Sequence, residues 1–350
     1  IRFKGVVVTL FLLVVLGLSV YFIGRATGFF TRAFGNAANL IVDNSASFSG
    51  TDVWRNLAQG GESKERFLAD ITASVRALKP EYIRIDHIFD FYDVLKKDSS
   101  GRTIYDFSKL DQIVSDIEST GAKPFFSLSY MPPIIAVKGD TVSIPNDWNE
   151  WKRLVAATVA HYSSRIADVY YEVWNEPDLF GNFKTYGSKN YFDLYYHSVV
   201  GAKASGSVLP YKIGGPATTA LYKNWFTTFL KFVGDNKLPL DFYSWHHYGT
   251  NLDDFEGDYN NIQKWLVDFP NFTDLELMIT ESGPDSKNSD SYDNVFGGIH
   301  AMGVSAVLEG KVARVFSFEI KDGVGPKQFW GRWGIFTNDK FGVPIAKPRY

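Results

Sequence analysis

A strand-then-helix rhythm runs through most of this chain, with successive strands starting roughly 30 to 45 residues apart. Apolar, β-branched and aromatic runs fall at residues 39–43 or 51–58, then at 82–86, 124–129, 169–174, 211–215, 241–247, 275–281 and 313–320. Between them lie stretches of helical periodicity at 62–78, 108–119, 147–162, 190–204, 225–233, 258–269 and 294–308. Phe67, Ile71, Val75 and Leu78 share one face of the first, and Trp148, Trp151, Val155 and Val159 one face of the third. The second has Ser108 and Asp111 at capping-box spacing, turns Ile113, Val114 and Ile117 inward, and stops at Gly121. Such alternation builds a parallel sheet, and eight repeats predict an α/β fold, a (β/α)8 TIM barrel. At 350 residues, 45% of them hydrophobic, the chain suits one such barrel better than two average domains. An eighth helix would have to start near residues 347–350, so the chain, which opens on Ile1, reads as a fragment lacking it.

The chemistry is concentrated at residues 170–180, YYEVWNEPDLF. A β-branched and aromatic run ends on Asn175 and Glu176, and Pro177 closes it because it has no N–H to continue a ladder. Pro177 also predicts an extended backbone at Glu176. A carboxylate is thereby fixed at a strand end, which in a barrel of this kind is where active sites lie. Glu281 ends the seventh expected strand, three strands further round the ring. Two carboxyl groups facing each other across a bond are what glycoside hydrolysis requires.

Five segments in order carry a resemblance: KPFFSLSYMPP at 123–133, YYEVWNEPD at 170–178, KIGGPA at 212–217, DFYSWHHYG at 241–249 and MITESG at 278–283. Together they resemble clan A of the glycoside hydrolases, and most closely family 39, a group of β-xylosidases, α-L-iduronidases and some bacterial exopolysaccharide hydrolases. The resemblance implies a retaining, double-displacement hydrolysis of O-glycosidic bonds in a poly- or oligosaccharide, with no cofactor or metal. It implies Glu176 as general acid/base, Glu281 as nucleophile, and Asn175 on the hydroxyl beside the reacting carbon. Arg84 matches a clan position that supports the nucleophile; an ion pair with Glu172 inside the barrel is the structural alternative. Ser244, His246 and Tyr248 fit a family pattern on the sixth strand, which places His246 and Tyr248 on one face and His247 on the other. Two departures bear on specificity. Residues 84–87 read Arg, Ile, Asp, His where the family has Arg-x-His-Gly, and Phe318 and Glu319 stand where the clan has a tryptophan. Trp330 or Trp333 is then the candidate sugar platform. The β-sandwich that accompanies many family barrels finds no room in this length.

Formal charge is −3, and because Arg2, Lys4, Arg25 and Arg32 stand among the first 35 residues without an acidic partner, removing their +4 leaves −7 on the remainder. An acidic body argues against nucleic acid as a partner. Residues 6–23 form an apolar run flanked by basic residues, long enough for an uncleaved signal anchor. The expected organisation is an anchor over residues 1–26, a linker over 27–39 and a catalytic barrel over 40–350, held extracytoplasmically on a membrane. Secretion after signal cleavage is the alternative. With no cysteine, disulfides and thiol catalysis are excluded. Two rival functions remain: a metal-dependent hydrolase built on Asp86, His87, His246 and His247, and a catalytically silent carbohydrate-binding protein of the cell surface. The first requires adjacent His246 and His247 to converge, although a strand sends them to opposite faces. Oligomeric state is not legible.

Overall fold

The computed structural model describes residues 53–62 and 64–350. The apolar run at 6–23, the linker at 27–39 and the alternative first strand at 39–43 lie outside the described residues. Among the described residues no helix is long and apolar enough to cross a membrane.

Eight parallel strands close into a ring: β1 (Asn56–Gln59), β2 (Tyr82–Ile85), β3 (Lys123–Leu128), β4 (Val169–Val173), β5 (Tyr211–Thr218), β6 (Phe242–Tyr248), β7 (Glu276–Gly283) and β8 (Arg314–Phe318). The ring closes where Asn56 of β1 lies opposite Phe316 of β8. Among the described residues seven α-helices follow β1 to β7 in turn: α1 (Thr72–Ala77), α2 (Ser108–Ser119), α3 (Trp148–Ser163), α4 (Tyr191–Lys203), α5 (Lys223–Asp235), α6 (Leu252–Leu266) and α7 (Val295–Leu308).

The strands alternate at period two, as both-face burial demands. Tyr82, Phe125, Tyr170, Phe242, Met278 and Phe316, one from each of six strands, meet inside the ring as an aromatic plug. Their neighbours Ile83, Phe126, Tyr171, Tyr243, Leu277 and Val315 belong to the larger core that includes the helices. Two residues beyond the plug, toward the strand C-termini, the inward positions turn polar: Arg84, Ser127, Glu172 and Ser244 are all buried. The plug therefore fills one end of the barrel and leaves polar side chains at the other.

Several elements differ from the sequence expectation. Phe67, Leu68 and Ile71 are buried, yet residues 64–71 run as turns and α1 begins only at Thr72. Within that segment Arg66 pairs with Asp116, and before it Glu62 pairs with Arg332. Ser108 and Asp111 form no capping box. The Ser108 N–H instead donates to Asp106 Oδ1 (3.0 Å), and Asp111 pairs with His161 (2.8 Å). Helix α6 starts earlier than expected because Asn251 caps it, its side chain accepting from the Asp253 N–H. A short antiparallel hairpin, Leu95–Lys97 with Thr103–Tyr105, separates β2 from α2 and was not anticipated. No helix forms at 347–350. Lys347 Nζ is instead buried against Asp322 (2.9 Å) and the Arg332 carbonyl (2.8 Å), and Arg349 donates to the carbonyls of Phe318 and Glu319 (both 3.0 Å).

Candidate active site

The backbone turns sharply at the end of β4, with φ of +75° at Trp174 and +45° at Glu176. Glu176 is thus in the left-handed region, not extended as the following proline implied. Such conformations cost of order 1 to 3 kcal/mol and persist only where neighbours over-determine them. Here the Glu176 N–H donates to the Ala217 carbonyl of β5 (2.9 Å), and the N–H groups of Leu179 and Phe180 return to the Glu176 carbonyl (2.9 and 2.7 Å). Ala217 is itself a bulge residue, φ +54°, at a point where β5 carries one residue more than β6.

A second bulge sets the other carboxylate. Met278 points into the ring, so strict alternation would send Thr280 inward and Glu281 outward. Strand β7 carries one extra residue against both neighbours. Trp245 faces Ile279 but His246 faces Glu281, and Val315 faces Ile279 but Ser317 faces Ser282. That single residue returns Glu281 to the interior.

Once inside, the two glutamates share a network. Tyr248 donates its hydroxyl to Glu281 Oε2 (2.8 Å). Arg84 reaches Glu281 Oε1 (2.9 Å), Glu172 Oε2 (2.7 Å) and Asn175 Oδ1 (2.7 Å), so the ion pair with Glu172 is present and the same guanidinium also contacts Glu281. Asn175 in turn donates through Nδ2 to the Tyr130 hydroxyl (3.0 Å). His246 Nδ1 lies 2.8 Å from Glu176 Oε1 and 3.5 Å from Glu281 Oε2. One oxygen of each glutamate and this imidazole nitrogen all lie within 4.8 Å of one another.

The electrostatics follow from burial and pairing. Burial pushes the Glu281 carboxyl above its ordinary value, and His246 and Arg84 offset only part of that. Burial alone would lower the His246 imidazole, but Glu281 and Glu176 outweigh it and carry it upward. Asp86 is raised by burial. A metal site on Asp86, His87, His246 and His247 is not what the fold assembles. His87 Nδ1 pairs with Asp90 (2.9 Å), His247 Nδ1 with Asp258 (2.7 Å), and His246 with Glu176.

A cleft of about 900 Å³ opens over this network. Asn175, Glu176, Tyr248, Glu281 and Trp333 line it, as do Asp86, His87 and His247. Arg84 and His246 are wholly buried and are not among its lining residues; their side chains bond the glutamates instead. Trp330 does not line it. Its ring packs on Gly325 and beside Arg332, whose guanidinium also lies 3.3 Å from the Trp333 ring centre. Phe318 lines the cleft and tilts against Trp333 at 5.3 Å, while Glu319 is buried behind it, Oε2 accepting from Gln59 (2.8 Å). Tyr130, Glu62, Lys287 and Arg332 also line the cleft and escaped the sequence reading. Tyr130 lay within the 123–133 segment already singled out; the other three had no local signal.

A parallel barrel with two glutamates converging at its C-terminal mouth has the architecture of the glycoside hydrolase barrels. This chain belongs to Glycosyl hydrolases family 39, whose profile matches residues 42–286. It is 29% identical over 285 residues to a β-xylosidase of Geobacillus stearothermophilus, covering 73% of this chain and 53% of that protein. It is 32% identical over 185 residues to a β-xylosidase of Caldicellulosiruptor saccharolyticus, covering 49% of this chain and 37% of the relative. The chain thus spans about half, or less, of the length of these curated relatives. The crystal structure of the GH39 enzyme from Xanthomonas axonopodis pv. citri superposes with a TM-score of 0.70 at 25% identity, covering 84% of this chain and 64% of the other.

Proposed function

We propose that this chain is a retaining glycoside hydrolase acting on O-glycosidic bonds of an oligo- or polysaccharide, with Glu281 as nucleophile and Glu176 as general acid/base. The observation that carries the reading is the approach of the two carboxyl groups, one oxygen of each lying within 4.8 Å of the other. Retaining sites hold their carboxyl groups about 5 to 5.5 Å apart, whereas inverting sites leave roughly 6.5 to 9.5 Å for a water. In the first step a Glu281 oxygen bonds to the anomeric carbon as the bond to the leaving oxygen breaks, and Glu176 gives that oxygen a proton. In the second, water attacks the same carbon, Glu176 takes its proton, and the bond to Glu281 breaks. Arg84 and Tyr248 hold Glu281 in position, and Asn175 presents an amide to the adjacent hydroxyl.

The β-xylosidase relatives make aryl β-xylosides the first substrates to test, beside a panel of other aryl glycosides. Glu281→Ala should abolish turnover of all of them, and Glu176→Ala should spare substrates whose leaving groups depart without a proton. Proton NMR should show the substrate's own anomer as first product. The opposite anomer, or equal loss of every leaving group in Glu176→Ala, overturns the assignment. Binding without turnover in the native chain favours the silent carbohydrate-binding alternative. Placement outside a membrane rests on the apolar run at 6–23 alone, and cell fractionation of the full chain tests it.

A further inference from the structure

The cleft is lopsided. Its wall on the side of β1, β2, β7 and β8 carries the packed rings of Phe318 and Trp333 but is otherwise charged: Glu62 pairs with Arg332, Asp86 accepts from the Gly61 N–H (3.1 Å), and Lys287 stands at the rim. The opposite wall, made by the loops after β4 and β5, presents Leu179, Phe180, Ala220 and Leu221. Leu179 is 58% exposed and Phe180 41%, although the loop that carries them is firmly tied. Besides the two N–H bonds to the Glu176 carbonyl, the Trp174 indole donates to the Phe180 carbonyl (2.8 Å), and the Phe180 ring meets Tyr130 edge-on at 5.8 Å. Asp178 accepts from the Thr219 N–H (3.0 Å) and from its hydroxyl, which also lies 2.9 Å from the Tyr222 hydroxyl. Next along the rim, His247 and Asp258 are bonded to each other. Thr219, His247 and Asp258 also line this side, but their polar groups are engaged with one another or with Asp178, and Leu179 and Phe180 stand out from the loop as exposed hydrocarbon.

We propose that Leu179 and Phe180 form the leaving-group subsite, and that it accepts an aglycone with an apolar face, an aryl or alkyl alcohol, by contact and not by hydrogen bonding. The inference rests on Glu176 being the acid, and on the leaving-group side it replaces the saccharide of that reading with an apolar alcohol. An acid that protonates the departing oxygen has the departing group beside it, and the loop that continues from Glu176 is the surface that group meets. Held apolar side chains at that surface favour an occupant that loses water from hydrocarbon, whereas a hydroxyl-rich sugar would lose hydrogen bonds there and regain few.

The test uses the full chain. A panel of glycosyl fluorides, whose leaving group is a single atom, identifies the glycone. The naphthyl glycoside and a disaccharide of that glycone are then compared with its fluoride in the native chain and in Leu179→Asn, Phe180→Asn and the double variant. The ratio of kcat/KM for naphthyl glycoside to fluoride should fall about tenfold or more in the double variant, chiefly through KM, as expected for apolar contacts. Phe180→Leu should restore most of it, and the disaccharide-to-fluoride ratio should move less than about threefold, since that ligand gains little from the lip. A naphthyl ratio that stays constant, or a disaccharide ratio that falls equally, overturns the subsite. No turnover of any fluoride by the native chain removes the glycosidase reading and this inference with it.

Discussion

Arg84 does more than either glutamate to define the site's geometry, since one guanidinium holds Glu172, Glu281 and Asn175 at once. Its planar fork suits that task as a lysine would not. Arg84→Met leaves two buried carboxyl groups without their cation, and breaking a buried pair this way costs about 3 to 5 kcal/mol. Urea unfolding should register that loss. Arg84 also pulls the Glu281 carboxyl down against burial, so its removal lets that carboxyl rise further. The acid limb of the kcat/KM profile should therefore move to higher pH in the variant, and an unmoved limb would mean that the arginine does not set the charge on Glu281. Residues of this kind differ in how legible they were. Glu176 announced itself because proline and a strand end stand beside it in sequence. Glu62 and Arg332 pair across 270 residues, a separation no local pattern spans.

At the level of elements, the strand order could be read from the alternation of strand and helix runs, and five of the seven helices among the described residues lie within two residues of where periodicity put them, α1 and α6 being the exceptions. The bulges could not be read. An extra residue in β7 looks like any other strand residue until its two neighbours are aligned beside it, yet it decides whether Glu281 faces the cleft or the helices. The capping error at Ser108 has the same origin, since Asp106 competes for the same N–H and only the backbone path decides. Close approach of strands yields a sharper expectation at Gly214, which pairs with Glu172 on one side and Phe242 on the other. A Cβ there would run into the Phe242 carbonyl oxygen, which is backbone and cannot swing away. Gly214→Ala should thus destabilise by about 1 to 3 kcal/mol, as overpacking does, with activity falling alongside because β5 holds Glu176 through Ala217. A variant as stable as the native chain in thermal unfolding would show that the two strands can part without cost.

Across the whole molecule the perturbed histidines divide by sign. His246 and His87 are raised above the ordinary value, each by neighbouring carboxylates that outweigh burial, so their stabilisation is complete below about 6.5 and is lost as pH rises through the folded values. His197 and His300 are lowered, chiefly by burial, so theirs is present above about 6.5 and is lost as pH falls. Unfolding free energy measured by urea between pH 5 and pH 9 should accordingly peak near pH 6.5, and a steady rise through pH 8 would contradict the assignment of His246. The ring closure between Asn56 and Phe316 has a different consequence, in time. A ribosome working at about 5 to 20 residues per second needs roughly 15 to 50 s to pass from one of these positions to the other. Throughout that interval β1 has emerged without the strand that will cover its free edge, and unpaired edges of this sort recruit other strands. The nascent chain is therefore most at risk of misassembly before Phe316 appears, and chaperone demand during synthesis should fall once β8 has been made.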